Sequence, residues 1–255
     1  MDAEARLTLQ TLRLIVDNEN SGSWNLAVDD MLLESVSTPH SGILRFYQWD
    51  PATLSLGYFQ SSGQRESHQP SAQLNYLRRG TGGGAVIHDH ELTYSLIFPT
   101  DSLPVNQISS VYVLVHQCLI EALHMLGAED VIIASQAVQN PTPHAFLCFQ
   151  RRNPGDVIIQ GHKIAGSAQR RRHNHVLQHG SVLLGQSSYG PELPGIHELT
   201  QLQLTAQELQ HAWLHTLERH LNIQCISEPI THTEKVAVKQ IQQDKYLSDQ
   251  WNEKR

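Results

Sequence analysis

The chain has 255 residues, 40% of them hydrophobic, which is enough for a sizeable core in one large domain or two small ones. Its 25 acidic and 18 basic residues give a formal charge of −7, which argues against general binding to nucleic acid or to a membrane surface. The three cysteines form no CxxC pair, which argues against a disulfide framework and a cysteine-rich zinc site and favours a reducing compartment.

Two features of the whole chain favour a single soluble domain. No linker rich in proline, glycine or serine divides residues 1–255, so we expect one domain over that range. The first residues carry charges of both signs without an apolar segment, and no later stretch approaches the roughly 18 apolar residues of a membrane span. We therefore expect a cytoplasmic protein.

The N-terminal half combines short apolar stretches with one segment of helical periodicity. Apolar residues at helical spacing predict a helix over residues 24–35, with Ser23 as its N-cap. Strands are predicted at residues 11–16, 43–49, 53–58 and 91–98, and on either side of a glycine loop within residues 77–89. The strands that precede and follow Asp50 and Pro51 are expected to pair with each other.

The C-terminal half has long helical segments and a predicted meander of strands. Helices are predicted at residues 108–126, 205–221 and 232–251, and strands at residues 157–160, 163–165, 177–184 and 223–226. Cys118 lies on the apolar face of the first helix and Cys225 in the last strand, so we expect both to be structural. The irregular order of elements predicts the α+β class, with mixed or largely antiparallel sheets and flanking helices.

Cys148 is followed fifteen residues later by Lys163. Only a thiolate attacks, and a nearby ammonium lowers the pKa of a thiol from about 8.5 toward the neutral range. The pair therefore predicts acyl transfer through a thioester, in which the lysine also relays a proton. The alternative is that Cys148 packs as a small hydrophobic residue, as most free cysteines do.

Four glycines lie in the run Gly80-Thr-Gly-Gly-Gly84, directly after Arg78 and Arg79. Glycines let backbone amides approach a ligand closely, and the two guanidinium groups can bind phosphate or carboxylate. The run lacks the lysine of a GxxxxGK[ST] loop and the following helix of a GxGxxG loop. It is either a ligand-binding loop or a tight connection between strands, and His88 with Asp89 is either part of a site wall or a strand end.

The chain has 16 histidines, and three of them, His173, His175 and His179, lie close together in sequence. A metal site is one interpretation of this group. No HExxH motif and no carboxylate at ligand spacing accompanies them, so we expect ordinary surface or core histidines and no functional metal.

Several ordered motifs together resemble the biotin/lipoate A/B protein ligase family, and within it the cysteine-containing octanoyltransferases of the LipM type. The resemblance runs from about Leu14 to Asn252. The motifs that carry it are residues 25–30 with Glu34, residues 44–50, 56–60, 78–89, 91–95, 148–150, 161–170 and 177–184, and Lys245, Tyr246, Trp251 and Asn252. Such a set of motifs in order is far more specific than any one of them.

The resemblance implies a fold like that of the biotin and lipoate ligases, with two mixed sheets and flanking helices around an acyl-binding tunnel. It implies that Cys148 is the nucleophile and that Lys163 lies beside it. The substrate-binding residues that it implies are Arg78, Arg79, Gly82, Gly83, Gly84, His88 and Gly166. Glu91 stands where many ligases carry a Gly-Asn pair, and the short stretch after Asn252 leaves no room for the accessory domain of larger ligases. Both features favour a transferase over a ligase.

The activity that the resemblance implies is octanoyl transfer in protein lipoylation. Octanoyl-acyl carrier protein would be the donor, and a lysine of a lipoyl domain of a 2-oxoacid dehydrogenase, or of the glycine-cleavage H protein, would be the acceptor. Cys148 would carry the octanoyl group as a thioester between the two steps. No cofactor is expected for this reaction, and no nucleic acid or membrane partner.

Three alternatives stay open at this point. An ATP-dependent lipoate ligase would use the glycine loop and Lys163 to hold an acyl-adenylate, with ATP and Mg as cofactors. An amidotransferase would move octanoyl from one lipoyl-accepting protein to another with the same Cys148. A binding protein without turnover would be expected to lack the nucleophile.

Because both protein partners of a transferase are typically acidic, a local basic patch would speed their encounter. Arg170, Arg171 and Arg172, together with Arg151 and Arg152, are the candidates for this patch. A solvated charged turn is the alternative interpretation of the same residues.

Overall fold

The computed structural model describes residues 7–35, 41–103, 108–135 and 145–255. These residues form an eight-stranded sheet, a three-stranded sheet and flanking helices, which confirms the predicted α+β class. The strands are β1 (Thr11–Val16), β2 (Ser41–Tyr47), β3 (Thr53–Leu56), β4 (Asn75–Arg78), β5 (Val86–His88), β6 (Glu91–Pro99), β7 (Val131–Ile133), β8 (Val157–Ile159), β9 (His162–Arg172), β10 (His175–Leu183) and β11 (Cys225–Ser227).

The helices lie on both faces of the large sheet. They are α1 (Gly22–Ser35), α2 (Ile108–Met125), α3 (Ile196–Thr200), α4 (Ala206–Leu221), α5 (His232–Ile241) and α6 (Asp249–Asn252). Capping boxes fix where α4 and α5 begin, because Thr205 and Thr231 each accept a hydrogen bond from the backbone N–H of a glutamate three residues on.

The large sheet has the strand order β11-β1-β2-β6-β10-β9-β8-β7. β1 runs parallel to β11 and to β2, and all pairings from β2 to β7 are antiparallel. In the small sheet, β3 lies in the centre, parallel to β4 and antiparallel to β5. The long central strands β6 and β10 therefore form the platform on which the small sheet and the helices are placed.

The large sheet separates the two larger of the three hydrophobic clusters that the described residues form. One cluster lies under α2 and α4, where Trp213 packs against Phe46 and Tyr94 and donates from its indole nitrogen to the carbonyl of Val115 at 3.1 Å. The other lies under α1 and α5. Contrary to the sequence expectation, α2 is long and apolar enough to pass as a membrane span by composition alone. Its buried face packs into the first cluster, as that of a core helix does.

The expected pairing of the strands around Asp50 and Pro51 is wrong, since β2 and β3 belong to different sheets. Both edges of β2 are occupied, by β1 and by β6, so β3 has no edge of β2 to pair with. It instead separates β4 from β5, which flank the glycine loop. The loop consequently connects two strands that are not neighbours.

Other boundaries differ from the predictions for local reasons. The first helix begins at Gly22, so Ser23 lies inside it, and Ser21 Oγ accepts from the backbone N–H of Trp24 at 3.4 Å. β9 continues to Arg172 rather than ending at residue 165, because it pairs with β10 along its length although its sequence is polar there. The predicted helix over residues 232–251 is interrupted after Ile241 by a π turn.

Candidate active site

A cavity of about 300 Å³ lies between the two sheets. Its floor includes four residues that are in register on consecutive strands of the large sheet: Gly166, Ser181, Thr93 and Tyr47. Because neighbouring strands lie about 4.8 Å apart, this row extends for roughly 14 Å from β9 to β2. The small sheet and the glycine loop cover it from above.

Cys148 enters this cavity at the β9 end. The segment that precedes it is bound to the end of the glycine loop, since the N–H of Ala85 donates to the carbonyl of Phe146 at 2.9 Å and the N–H of Cys148 donates to the carbonyl of Ala85 at 2.7 Å. The chain then turns through a short 3₁₀ helix that begins at Cys148. The Cys148 side chain is half-buried and lines the cavity, so a ligand held there can reach the thiol.

Lys163 lies beside the thiol. Its Nζ is 3.9 Å from Cys148 Sγ and 2.9 Å from Asp156 Oδ2. The side chains of Lys163 and Asp156 are only 2% and 1% exposed, so water screens this charge pair very little. The ammonium therefore lies between a buried carboxylate and the sulfur.

Asp156 is held in place by two further hydrogen bonds. The Tyr112 hydroxyl donates to Oδ1 at 2.8 Å, and the N–H of Asn153 donates to Oδ2 at 2.7 Å. Burial and the charge of Asp156 raise the pKa of the Tyr112 phenol, so it stays a donor. These donors hold the carboxylate in one orientation, which fixes the lysine opposite it.

The two arginines before the glycine loop are both buried, but only one lines the cavity. The Arg79 guanidinium donates to the carbonyls of Ser55, Gly82 and Gly84 at 2.7 to 2.9 Å. Burial lowers its pKa. Its donors thus hold the loop in shape from beneath, because a buried guanidinium must have its N–H groups satisfied.

Arg78, predicted to bind substrate, is placed outside the cavity. Its guanidinium donates to the carbonyls of Gly57 and Gln60 and, at 2.8 Å, to that of Asn252. The backbone N–H of Arg78 also donates to the Asn252 side chain at 2.9 Å. Arg78 therefore joins the glycine-loop region to α6, because its guanidinium group donates to backbone carbonyls and does not face a ligand in the cavity.

The far end of the cavity is closed by a pair of stacked rings. His88 and Trp49 lie parallel with centroids 3.7 Å apart. His88 hydrogen-bonds through Nδ1 to Glu91 at 2.6 Å and through Nε2 to Ser55 at 2.8 Å, while Trp49 donates to Thr93 at 2.9 Å. Every polar atom of the two rings is thus engaged, which makes this a rigid wall across both sheets.

The glycines predicted to bind substrate lie together at the β9 end of the cavity, near Cys148. We call this end the mouth. Gly82 and Gly83 line the cavity, and Gly83 has φ +98°, which other residues rarely adopt. A Cβ on Gly166 would lie 2.6 Å from Lys163 Nζ, so the absence of a side chain there makes room for the ammonium. Gly84 lies against the backbone of Cys148.

The structure adds residues that the sequence prediction missed. Asp156 and Tyr112 lie seven and fifty-one positions before Lys163, with no motif to connect them to it. The only feature of the sequence that could have indicated Asp156 is its position just before the β8–β9 hairpin that carries Lys163. The sequence places Trp49 in a predicted strand and in a motif that carries the resemblance, but it assigns this residue no role in the site.

The three histidines that lie close together in sequence, His173, His175 and His179, are separated in the structure. His179 lines the cavity, with Nε2 2.7 Å from Thr81 Oγ1 and Nδ1 3.5 Å from Asp29. His173 lies in the turn between β9 and β10, and the extended strand separates His175 from His179. Among residues 7–35, 41–103, 108–135 and 145–255, no cluster of three metal-binding side chains occurs.

Three of the five arginines proposed as a docking patch form the following contacts within the protein. Arg170 forms an ion pair with Asp30 at 3.3 Å, and Arg172 forms one with Glu34 at 2.6 Å. Arg151 donates to the carbonyl of Ala145. Carboxylates of α1 therefore offset the charge of two of the five arginines.

A thiol beside a buried ammonium, on an apolar cavity closed at its far end, defines an acyl-transfer site. The Lipoyl protein ligase A/B catalytic domain model matches residues 21–208, and the chain belongs to this family. This confirms the predicted family, and the chain is an acyltransferase.

The relatives and the solved structures agree with that assignment. The chain is 30% identical to "Octanoyltransferase LipM" of Halalkalibacterium halodurans, over 96% of this chain and 99% of the relative. It is 32% identical to that of Geobacillus kaustophilus, over 91% and 94%. These relatives confirm the predicted activity, octanoyl transfer in protein lipoylation.

The fold is shared with a solved lipoate-protein ligase A bound with ATP. That structure matches with a TM-score of 0.75 and 22% identity, over 96% of this chain and 98% of the other. At this identity the likeness shows the fold alone. It confirms the predicted ligase-like architecture of two mixed sheets with flanking helices.

Proposed function

We propose that the octanoyl group passes through a thioester on Cys148, from an acyl carrier protein to a lysine of a lipoyl domain or of the glycine-cleavage H protein. The single observation that carries this proposal is the position of Lys163 Nζ, 3.9 Å from Cys148 Sγ in the wall of a cavity between the sheets. We propose that the reaction takes place in the cytoplasm.

In the first step, the Cys148 thiolate attacks the donor carbonyl and forms a new C–S bond. The C–S bond of the donor breaks, and its departing thiolate takes up a proton for which Lys163 is the nearest source. During attack, negative charge develops on the carbonyl oxygen, and the fixed ammonium stabilises it. The products are the octanoyl-enzyme and the free carrier thiol.

In the second step, the neutral amine of the acceptor lysine attacks the thioester. A C–N bond forms, the bond to Cys148 Sγ breaks, and the amine loses a proton to Lys163, which gave one up in the first step. The restored thiolate is again paired with the Lys163 ammonium. Neither step consumes a nucleotide, so the proposal needs no ATP or Mg.

The cavity suits an alkyl chain. Each CH₂ buried contributes about 0.8 kcal/mol, so an apolar tunnel holds the chain while polar groups at its mouth hold the thioester end. The row of residues from Gly166 to Tyr47 gives the cavity the length that the alkyl chain needs, and the Trp49–His88 stack forms the end of the cavity. Asp156 acts through Lys163 and is a positioning residue.

Intact-mass measurement tests the proposal. The enzyme is mixed with octanoyl-acyl carrier protein without ATP, and the wild type is expected to gain one octanoyl group that Cys148→Ala lacks. Cys225→Ser, which changes a half-buried cysteine remote from the cavity lining, is the matched control and should keep the adduct. An adduct on Cys148→Ala, or a wild type that never acquires one, would show that the thioester mechanism is wrong. Product formation only with ATP and free lipoate would assign the chain to the ligases.

A further inference from the structure

An exposed aromatic ring lies beside the mouth of the cavity. Phe59 is 71% exposed and packs against the glycine loop, where a Cβ on Gly82 would lie 3.7 Å from its ring. Tyr58 meets Phe59 edge-on at 4.9 Å, and Trp251 lies 5.9 Å from Tyr58. We call these three rings, together with Lys254 and Arg255, the Phe59 surface.

The two cations of the Phe59 surface are held by the rings rather than by carboxylates. Lys254 Nζ lies 3.4 Å from the centroid of Trp251 and 3.6 Å from that of Tyr58, and the Arg255 guanidinium lies 5.3 Å from Tyr58 and from Phe59. In the part of the chain that the structure describes, no aspartate or glutamate side chain forms an ion pair within 4.0 Å of either cation.

Two backbone contacts keep this segment in position. The carbonyl of Arg255 accepts hydrogen bonds from Ser62, from its N–H at 2.9 Å and from its hydroxyl at 3.0 Å. The neighbouring Glu253 is turned away, toward the hydroxyl of Tyr76 at 3.3 Å. The cations are therefore preorganised by their own rings and main chain, so little entropy is lost when they bind a partner.

The charge of the Phe59 surface is opposite to that of the whole chain. The protein carries a formal charge of −7, yet here two cations without aspartate or glutamate partners lie beside an exposed aromatic ring and its neighbours. Arg170 and Arg172, by contrast, are paired with Asp30 and Glu34. An aromatic anchor with uncompensated cations is typical of a surface that binds an acidic protein.

We propose that the Phe59 surface docks the acidic carrier protein that delivers the octanoyl thioester. This inference rests on the proposed function. The carrier presents its acyl group on a long flexible arm, so it can bind beside the mouth while the arm crosses the glycine loop to Cys148. Phe59 is separated from the sulfur by Gly82 and Gly83, since a Cβ on Gly83 would lie 3.9 Å from Cys148 Sγ. The side chain of the acceptor lysine is much shorter than the arm of the carrier, so the acceptor protein must bind over the mouth itself.

The test compares two acyl donors for the same enzyme. One is octanoyl-acyl carrier protein, and the other is a small octanoyl thioester without a carrier, which needs no docking. The variants are Phe59→Ala and the double charge reversal Lys254→Glu with Arg255→Glu. Lys239→Glu, on the exposed side of α5, is the matched control for a change of charge.

The charge reversal is expected to raise the KM for the carrier donor roughly tenfold or more at low salt, with kcat unchanged and with a weaker salt dependence than the wild type. Phe59→Ala should raise the same KM at all salt concentrations. Acylation by the small thioester, and the KM for the acceptor, should stay at wild-type values in both variants, which also shows that they fold.

Three results would overturn the inference: an unchanged KM for the carrier, an equal rise caused by Lys239→Glu, or a rise in the KM for the acceptor instead. The last result would assign the Phe59 surface to the acceptor. Failure of the proposed function itself is distinguishable, because Cys148 of the wild type would then not be acylated even by the small thioester.

Discussion

Gly84 lies directly against the backbone of Cys148. A Cβ at Gly84 would be 2.9 Å from the backbone nitrogen of Cys148 and 3.0 Å from its Cα. The hydrogen bond from the Cys148 N–H to the carbonyl of Ala85 explains this approach, because it draws the two segments together at 2.7 Å. The glycine loop and the cysteine, which are far apart in sequence, therefore form one structural unit.

Gly84→Ala should consequently displace Cys148, since the contacts it would create are with backbone atoms that cannot move alone. We expect the rate of Cys148 acylation to fall roughly a hundredfold, because small misplacements of reacting groups have effects of that size. Gly63→Ala is the control, since a Cβ there would meet only Ser61 Oγ, at 3.9 Å. Single-turnover acylation followed by mass spectrometry gives both rates. Equal rates for Gly84→Ala and the wild type would contradict this account of the loop.

The ion pair between Lys163 and Asp156 leads to a second prediction. Lys163→Ala should lower kcat/KM roughly a hundredfold or more, because it removes both the charge beside the sulfur and the nearest proton donor. Asp156→Asn keeps the shape but leaves the buried ammonium without its counter-charge, so the amine is held less firmly beside the sulfur. Its kcat/KM should therefore fall, and its pH profile should differ from that of the wild type.

The pH dependence of kcat/KM separates this role from a merely structural one. A wild-type pH profile in Asp156→Asn would show that the carboxylate does not act through the lysine. Lys235→Ala, an exposed lysine on α5, serves as the control and should leave both rate and profile unchanged.

The stacked rings at the far end of the cavity should limit the length of the acyl chain. Trp49→Ala removes one ring of the wall and opens the end of the row formed by the four strands. We expect the ratio of kcat/KM for dodecanoyl over octanoyl thioesters to rise roughly tenfold or more, within the range that pocket size produces for added methylenes. Trp49→Phe, which keeps an aromatic wall, should change this ratio much less. An unchanged ratio in Trp49→Ala would place the end of the chain elsewhere.

His116 leads to a prediction about stability. Burial lowers the pKa of this histidine to about 4, while its ring hydrogen-bonds to the carbonyl of Gly155 at 2.6 Å and to Ser167 Oγ at 2.7 Å. The unfolded chain takes up the proton near pH 6.5, so the contribution to stability is present above pH 6.5 and is lost as the pH falls toward 4.

Between pH 7.5 and 5.5, His116 alone should lower the free energy of unfolding by about 1 kcal/mol. Urea denaturation at the two pH values measures this loss. In His116→Gln, which is less stable at both values because it loses packing and hydrogen bonds, the pH-dependent loss should be smaller by that amount. His124→Gln, at an exposed position on α2, should keep the wild-type dependence. A loss that is the same in all three proteins would contradict the assignment to His116.

Local sequence patterns determined most of the elements of this protein. The strand at Thr11–Val16 was predicted with the observed bounds, and α2 and α4 within one residue of theirs. These segments have a clear hydrophobic period, and the capping box of Thr205 marks where α4 begins. The ordered motifs around Cys148 and Lys163 were enough to predict the family and the activity.

The tertiary structure alone decided which polar groups meet at the site. Arg78 and Arg79 looked alike in sequence, but long-range contacts turn the first toward α6 and place the second under the glycine loop. Asp156 and Tyr112 became part of the site only because β8, β9 and α2 pack together around Lys163. The physical reason is that periodicity reports which side chains are buried, whereas the partner of each buried polar group depends on strand pairing and helix packing between residues distant in the chain.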